Sequence, residues 1–186
     1  MKINKIKKSK GFTLIELLIV IGILAVLAVT LLLALNPAEA QKRTRDTKRL
    51  RDAATLQAII NQYLESGQAM SVCLTTNPNG CNSVTNGPQP PANTPQTCQN
   101  TNWLGINVCA YAQSVPVDPG NGQLRTFVIP GSGSAALTAM YMAAVSGSNY
   151  EINTHLEAQA NRDSLSADNG SNNSWYEVFS GPSNIL

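Results

Sequence analysis

Residues 10–35 read KGFTLIELLIVIGILAVLAVTLLLAL, and Glu16 is the single acidic side chain in this otherwise apolar run. As a helix, Phe12 to Leu35 would extend roughly 36 Å at about 1.5 Å per residue, enough to cross a bilayer with some tilt. A carboxylate inside such a segment is costly to bury, so it implies a partner or a function. Residues 1–11 carry five lysines and no acid, which by the positive-inside rule keeps this end in the cytoplasm. A secretory leader has a shorter apolar core, of about 7–15 residues, followed by a small-residue cleavage site. Here the run continues instead into Asn36-Pro37 and a charged segment. An uncleaved single-span anchor is the plain reading of hydropathy alone.

Working outward, Asn36-Pro37 predicts a kink or a melted turn, because proline lacks a backbone donor and clashes with the preceding turn. Beyond it, Ala38 to Ser66 reads as an amphipathic helix, with Leu50, Ala53, Ala54, Leu56, Ile60, Tyr63 and Leu64 forming an apolar stripe. Ser66-Gly67 supplies the stop. Residues 41–52 hold six basic groups (Lys42, Arg43, Arg45, Lys48, Arg49 and Arg51) against Asp46 and Asp52. This cluster reads as a solvated collar near lipid headgroups, or as partners for acids on neighbouring chains. From residue 53 onward two arginines face seven acids. That acidic balance argues against a nucleic-acid partner across the whole surface.

The remainder is head-like. Residues 67–122 are rich in Asn, Gly, Pro, Ser and Thr and predict loops over a small core, with 77–102 an irregular surface loop. Cys73, Cys81, Cys98 and Cys109 lack CxxC spacing, so zinc is disfavoured. Two disulfides are expected; of three possible connectivities, local Cys73–Cys81 and Cys98–Cys109 pairing closes short loops. Strands are predicted over 124–129, 137–145 and 150–156, with a short final strand near 175–179; Ala and Met leave 137–144 open to a helix. These would form one antiparallel sheet of three or four strands, within 123–180, covering the helix stripe. His155, the single histidine, reads as a surface residue of a strand rather than a ligand or base. No nucleophile motif, phosphate-cradling loop or paired acid constellation appears, so an enzyme reading has little support.

The stretch KGFTLIELLIVIGILAVLAV resembles the N-terminus of type IV prepilins and type II secretion pseudopilins, through Gly11, Phe12, Thr13, Leu14, Glu16 and the apolar residues behind them. The resemblance implies a pilin-like α+β fold: a leader (1–11), a membrane and filament-core helix (12–35), its amphipathic continuation (36–66) and a globular head (67–186). It implies cleavage between Gly11 and Phe12 by a prepilin peptidase, and methylation of the new Phe12 amine. Glu16 would then pair with the Phe12 amine of a neighbouring subunit, since a buried charge is tolerable when paired and such a pair fixes register. Gly22, Ala25 and Ala28 would let helices approach closely.

Further partners implied are copies of the chain, other pilins or pseudopilins, and an inner-membrane assembly platform. The subunit would span the cytoplasmic membrane once, head outside, before joining an extracellular or periplasmic filament. A pilus subunit, a secretion pseudopilin and a minor pilin for DNA uptake or adhesion all fit. A second resemblance, to major pseudopilins, lies in Val115-Pro-Val-Asp118-Pro-Gly-Asn-Gly122 and in Tyr150 through Leu156-Glu157, with Asp118 as a turn residue. Those relatives bind calcium ahead of a late Trp. Here Asp163, Asp168 and Asn169 precede Trp175, but two Asp are thin for an ion that takes six to eight oxygens, so no cofactor is expected.

Overall fold

The computed structural model describes residues 11–70, 81–82, 97–100, 102–181 and 185. The leader before Gly11, Cys73, the Cys81 side chain and most of the 77–102 loop lie outside the described residues, and with them the Cys73–Cys81 pairing. The chain divides into two compact units, residues 1–40 and 41–186.

In the first unit, helix α1 spans Leu14–Leu35. Asn36 ends it with φ 40°, the left-handed conformation that asparagine tolerates better than most residues. Asn36 also starts the next helix, α2 (Pro37–Glu65), by accepting the Glu39 and Ala40 amides through its backbone oxygen at 3.1 and 3.3 Å. Pro37 occupies the first helical position, where its missing N–H costs nothing. The Asn-Pro pair therefore closes one helix and opens another.

In the second unit, α2 ends where Gly67, at φ 78°, donates its amide to Leu64 O at 3.0 Å. A four-stranded antiparallel sheet has the order β1 (Cys81–Asn82), β4 (Tyr141–Ser146), β5 (Asn149–Thr154), β6 (Tyr176–Ser180). A separate hairpin pairs β2 (Leu124–Ile129) with β3 (Gly133–Thr138). The α+β layout agrees with the expected fold class, but the single sheet of the sequence reading becomes two. The apolar run 137–145 is interrupted at Ala139, which is fully buried. Its amide donates to Gln123 O and its carbonyl accepts from Gly122, both at 2.9 Å. These bonds draw it to the 118–123 turn and separate the strands; residues 137–144 form no helix.

Strand alternation places Tyr141, Ala143, Val145, Tyr150 and Ile152 in one core with Leu56, Ile59 and Ile60 of α2. The segment 102–117 contributes far more than a small loop-rich core. Trp103, Leu104, Ile106, Val108 and Val115 are all buried in it. Asn102 shapes this segment, donating to Gln99 O and Ile106 O at 2.6 and 2.7 Å and accepting the Leu104 amide at 3.0 Å. Trp103 Nε1 donates to Pro116 O at 2.8 Å. The Cys98–Cys109 disulfide closes the segment with a Cα separation of 4.7 Å, matching the local pairing expected for these two cysteines.

Candidate assembly and processing site

Gly11 and Phe12 precede α1 in non-helical chain, and Phe12 is 76% exposed. Thr13 is the N-cap, with extended backbone. Its hydroxyl accepts the Glu16 amide at 3.3 Å, while the Glu16 carboxylate accepts the Thr13 amide at 2.8 Å and the Thr13 hydroxyl at 2.7 Å. This Thr-x-x-Glu capping box satisfies orphan donors of the first turn. The sequence carried that signal in Thr13 and Glu16, and it gives the carboxylate a local role besides any intermolecular one.

Behind the cap, α1 keeps its side chains exposed in the single chain: Leu14, Ile15, Leu18, Val26 and Leu31 are each more than 60% accessible. Its Leu14–Leu31 stretch is long and apolar enough to cross a membrane. A Cβ added at Gly22 would meet nothing within 4 Å, so its surface there is free for another helix. An apolar helix this exposed needs lipid or protein around it.

The second constellation lies in the head. Arg49 of α2 is fully buried. Its Nε and Nη2 donate to both oxygens of Asp118 at 2.6 and 3.1 Å, its Nη1 to Asp46 at 2.8 Å, and its Nη2 also pairs with Glu157 at 2.7 Å. The guanidinium lies 5.1 Å from the Phe127 ring centroid. Asp46 is fully buried too, and its carboxylate accepts the amides of Glu157 and Ala158 and the Asn161 side chain at 2.8–3.1 Å. Arg45 Nε donates to Glu157 at 2.9 Å. Burial alone would raise the Glu157 pKa, but the hydrogen bonds from Arg45 and Arg49 hold it below the usual carboxylate value.

This network corrects the collar reading. Arg49 and Asp46 are interior, and Arg45 is spent on Glu157, so two of the six basic groups are structural. Two of its three acids, Asp118 and Glu157, come from the two segments of the second resemblance. Asp118 is still a turn residue, accepting the Gly120 amide at 2.7 Å. Of the seven acids beyond residue 53, Asp118, Glu151, Glu157 and Glu177 are buried.

His155 is likewise interior, 4% exposed, and not a surface residue. It stacks on Trp175 with ring centroids 3.5 Å apart and lies 5.0 Å from Phe127. Burial lowers its pKa to about 4; the bond to Ser174 O and the nearby Asp118 oppose that, while Arg49 adds to it.

The calcium candidates of the second resemblance, Asp163, Asp168 and Asn169, lie on and beside one short helix. Both oxygens of Asp168 are engaged by backbone, accepting the Gly170 amide at 2.9 Å and the Glu177 amide at 2.8 Å. Asp163 is exposed at the start of the short helix α3 (Ser164–Ala167), and Asn169 turns the chain at φ 63°. Among the described residues, no group of three or more His, Cys, Asp or Glu is placed to hold a metal ion.

Residues 6–32 match the family model of the prokaryotic N-terminal methylation motif. No curated protein and no solved structure matches the chain.

Proposed function

We propose that this chain, whose residues 6–32 carry the signature of type IV pilins and pseudopilins, is the precursor of a pilus-like filament subunit. A prepilin peptidase cuts between Gly11 and Phe12 and methylates the freed amine. The mature subunit leaves the membrane and stacks through α1, with Glu16 facing the Phe12 amine of a neighbour and the head outward. The observation that carries this reading is an exposed apolar helix holding one carboxylate, four residues behind the Gly11-Phe12 junction, within the matched motif. A buried unpaired carboxylate would be prohibitive in the filament core, and the new amine supplies its partner.

The test is mass spectrometry of assembled material. A methylated Phe12 start is expected; an intact Met1 in filaments would sink the proposal. Glu16→Ala should still be cleaved at Gly11 yet assemble poorly, and normal filament yield would refute the pairing.

A pseudopilus is the second reading, favoured by one observation: the acids of both pseudopilin-like segments, Asp118 and Glu157, meet at Arg49. Electron microscopy after overexpression separates the two, since long surface fibres favour a pilus.

A further inference from the structure

Strands β5 and β6 bring two buried carboxyl groups together on the side of the sheet opposite Tyr150 and Ile152. Asn153 pairs with Glu177 and Glu151 with Phe179, so Glu151, Asn153 and Glu177 share one side of the pleat and the two acids are diagonal neighbours. Glu151 is fully buried, and Glu177 and Asn153 are 3% and 4% exposed. Asn153 Nδ2 donates to Glu151 Oε1 at 2.8 Å, and the Ile185 amide donates to Glu151 Oε2 at 2.6 Å. On the neighbouring strand, Glu177 Oε2 accepts the Asn172 amide at 3.1 Å. Gly170 packs so closely here that an added Cβ would collide with the Glu177 side chain. The 168–172 loop and the chain at Ile185 thus hold to this side of the sheet through the two carboxyl groups.

One oxygen is left over. Glu177 Oε1 is buried without a hydrogen-bond partner, yet the Glu151 carboxyl lies within hydrogen-bonding reach of the Glu177 side chain. Two ionised carboxylates are both acceptors and have no hydrogen to place between them; a single proton serves both. The neighbours favour keeping it. Met142 and Ala144 of β4, which pair with Asn153 and Glu151, carry no charge. Asp168, which accepts the Glu177 amide at 2.8 Å, adds a further acid, and Tyr176 lies on the other side of the pleat. Burial first, and then Glu151 and Asp168, hold Glu177 above the ordinary carboxylate value against the Asn172 amide.

We propose that Glu151 and Glu177 share one proton, and that this proton latches the 168–172 loop and the chain at Ile185 onto the sheet. This goes beyond filament assembly and does not rest on it. When the proton leaves, two like charges face each other in a buried site, and the segments that cover them loosen. A folded pKa raised above the ordinary 4.5 gives a contribution that is complete below about pH 4.5 and is lost as pH rises through the folded value. His155, whose pKa is lowered, loses its contribution in the opposite direction, toward acid.

The test is hydrogen exchange of the full chain in detergent micelles with a chelator present. Exchange is read by mass spectrometry on peptides covering 168–172 and Ile185, and corrected for the intrinsic pH dependence of amide exchange. Relative to a peptide covering Leu56–Ile60 of α2, protection of both should fall about tenfold between pH 5 and pH 8, within the limit of about tenfold per pH unit that release of one proton sets. Glu177→Gln keeps a donor for Glu151 that does not titrate, and should hold the protection level across that range. Glu151→Gln should do the same toward Glu177, and decides the matter if Glu177→Gln does not fold. Equal protection at pH 5 and pH 8 in the parent would overturn the proposal, as would a fall in the glutamine variants as large as the parent's. So would recovery of the parent's protection at pH 8 on adding calcium, which would make the pair a cation site.

Discussion

Replacing Arg49 by methionine keeps most of the side-chain volume and removes the charge. What remains is decided by how each partner is otherwise satisfied. Asp46 retains the Glu157 and Ala158 amides and the Asn161 side chain. Glu157 retains Arg45. Asp118 keeps the Gly120 amide for a carboxylate whose side chain is 1% exposed. Breaking a buried pair by removing one partner costs about 3–5 kcal/mol, chiefly because the other charge is left uncompensated. Arg49→Met is therefore expected to destabilise the head by about 3–5 kcal/mol. Arg43→Met, on the exposed face of the same helix, should stay within about 0.5 kcal/mol.

Locating the penalty at Asp118 makes the reasoning sharper. In the Arg49→Met background, Asp118→Asn removes the orphaned charge while keeping an acceptor for Gly120, so it should recover about 1–2 kcal/mol. In the parent chain the same change should destabilise. The assay is urea unfolding of the full chain in detergent micelles, followed by fluorescence of Trp103, a core residue 1% exposed. A loss below about 1 kcal/mol for Arg49→Met would restore the solvated-collar reading. Further destabilisation by Asp118→Asn in the mutant background would refute Asp118 as the orphaned charge.

His155 sets an acid dependence: its folded pKa, near 4, lies below the ordinary 6.5, so its contribution is complete above about pH 6.5 and is lost as pH falls toward 4. The limit is about 3 kcal/mol. His155→Phe should flatten the unfolding midpoint between pH 7 and 5 relative to the parent, and parallel curves would show that His155 is not the titrating group. Replacing Cys98 and Cys109 together by serine should cost about 2–3 kcal/mol, because the bridge closes an 11-residue separation at the edge of the Trp103 core. An unchanged urea midpoint, with the pair confirmed oxidised in the parent by intact mass, would show that the bridge contributes nothing to stability.

Legibility in this sequence follows the physics of each signal. The apolar helix was readable because its composition is unambiguous, and β5 because Tyr150, Ile152 and Thr154 alternate with polar residues. The buried ionic cluster is hidden in the sequence because charged side chains ordinarily lie at the surface. Yet Asp46, Arg49, Ala53, Leu56 and Ile60 follow a strict three-four spacing, and the apolar stripe of α2 continues N-terminally as charge. The signal lies in position on the helix rather than in hydrophobicity. The core contribution of 102–117 has no such period, because an irregular chain buries side chains wherever its own turns aim them. Ala139 was equally silent: nothing in an alanine-rich run marks where a strand must leave one sheet for another.

Under the proposed assembly, Glu16 would serve two stages without conflict. In the uncleaved chain its carboxylate is satisfied locally by the Thr13 amide and hydroxyl, an arrangement of the kind worth about 1 kcal/mol at a helix start. Under the proposed assembly, cleavage adds a cationic amine at Phe12, immediately before that cap. Exchanging the Thr13 bonds for a neighbour's amine would cost about the value of the cap. Burying Glu16 unpaired among apolar helices would cost several kcal/mol. The exchange is thus favourable only where a second cleaved subunit stands alongside. In that scheme, the capping box would keep the carboxylate satisfied until then, and the larger penalty would make assembly depend on processing.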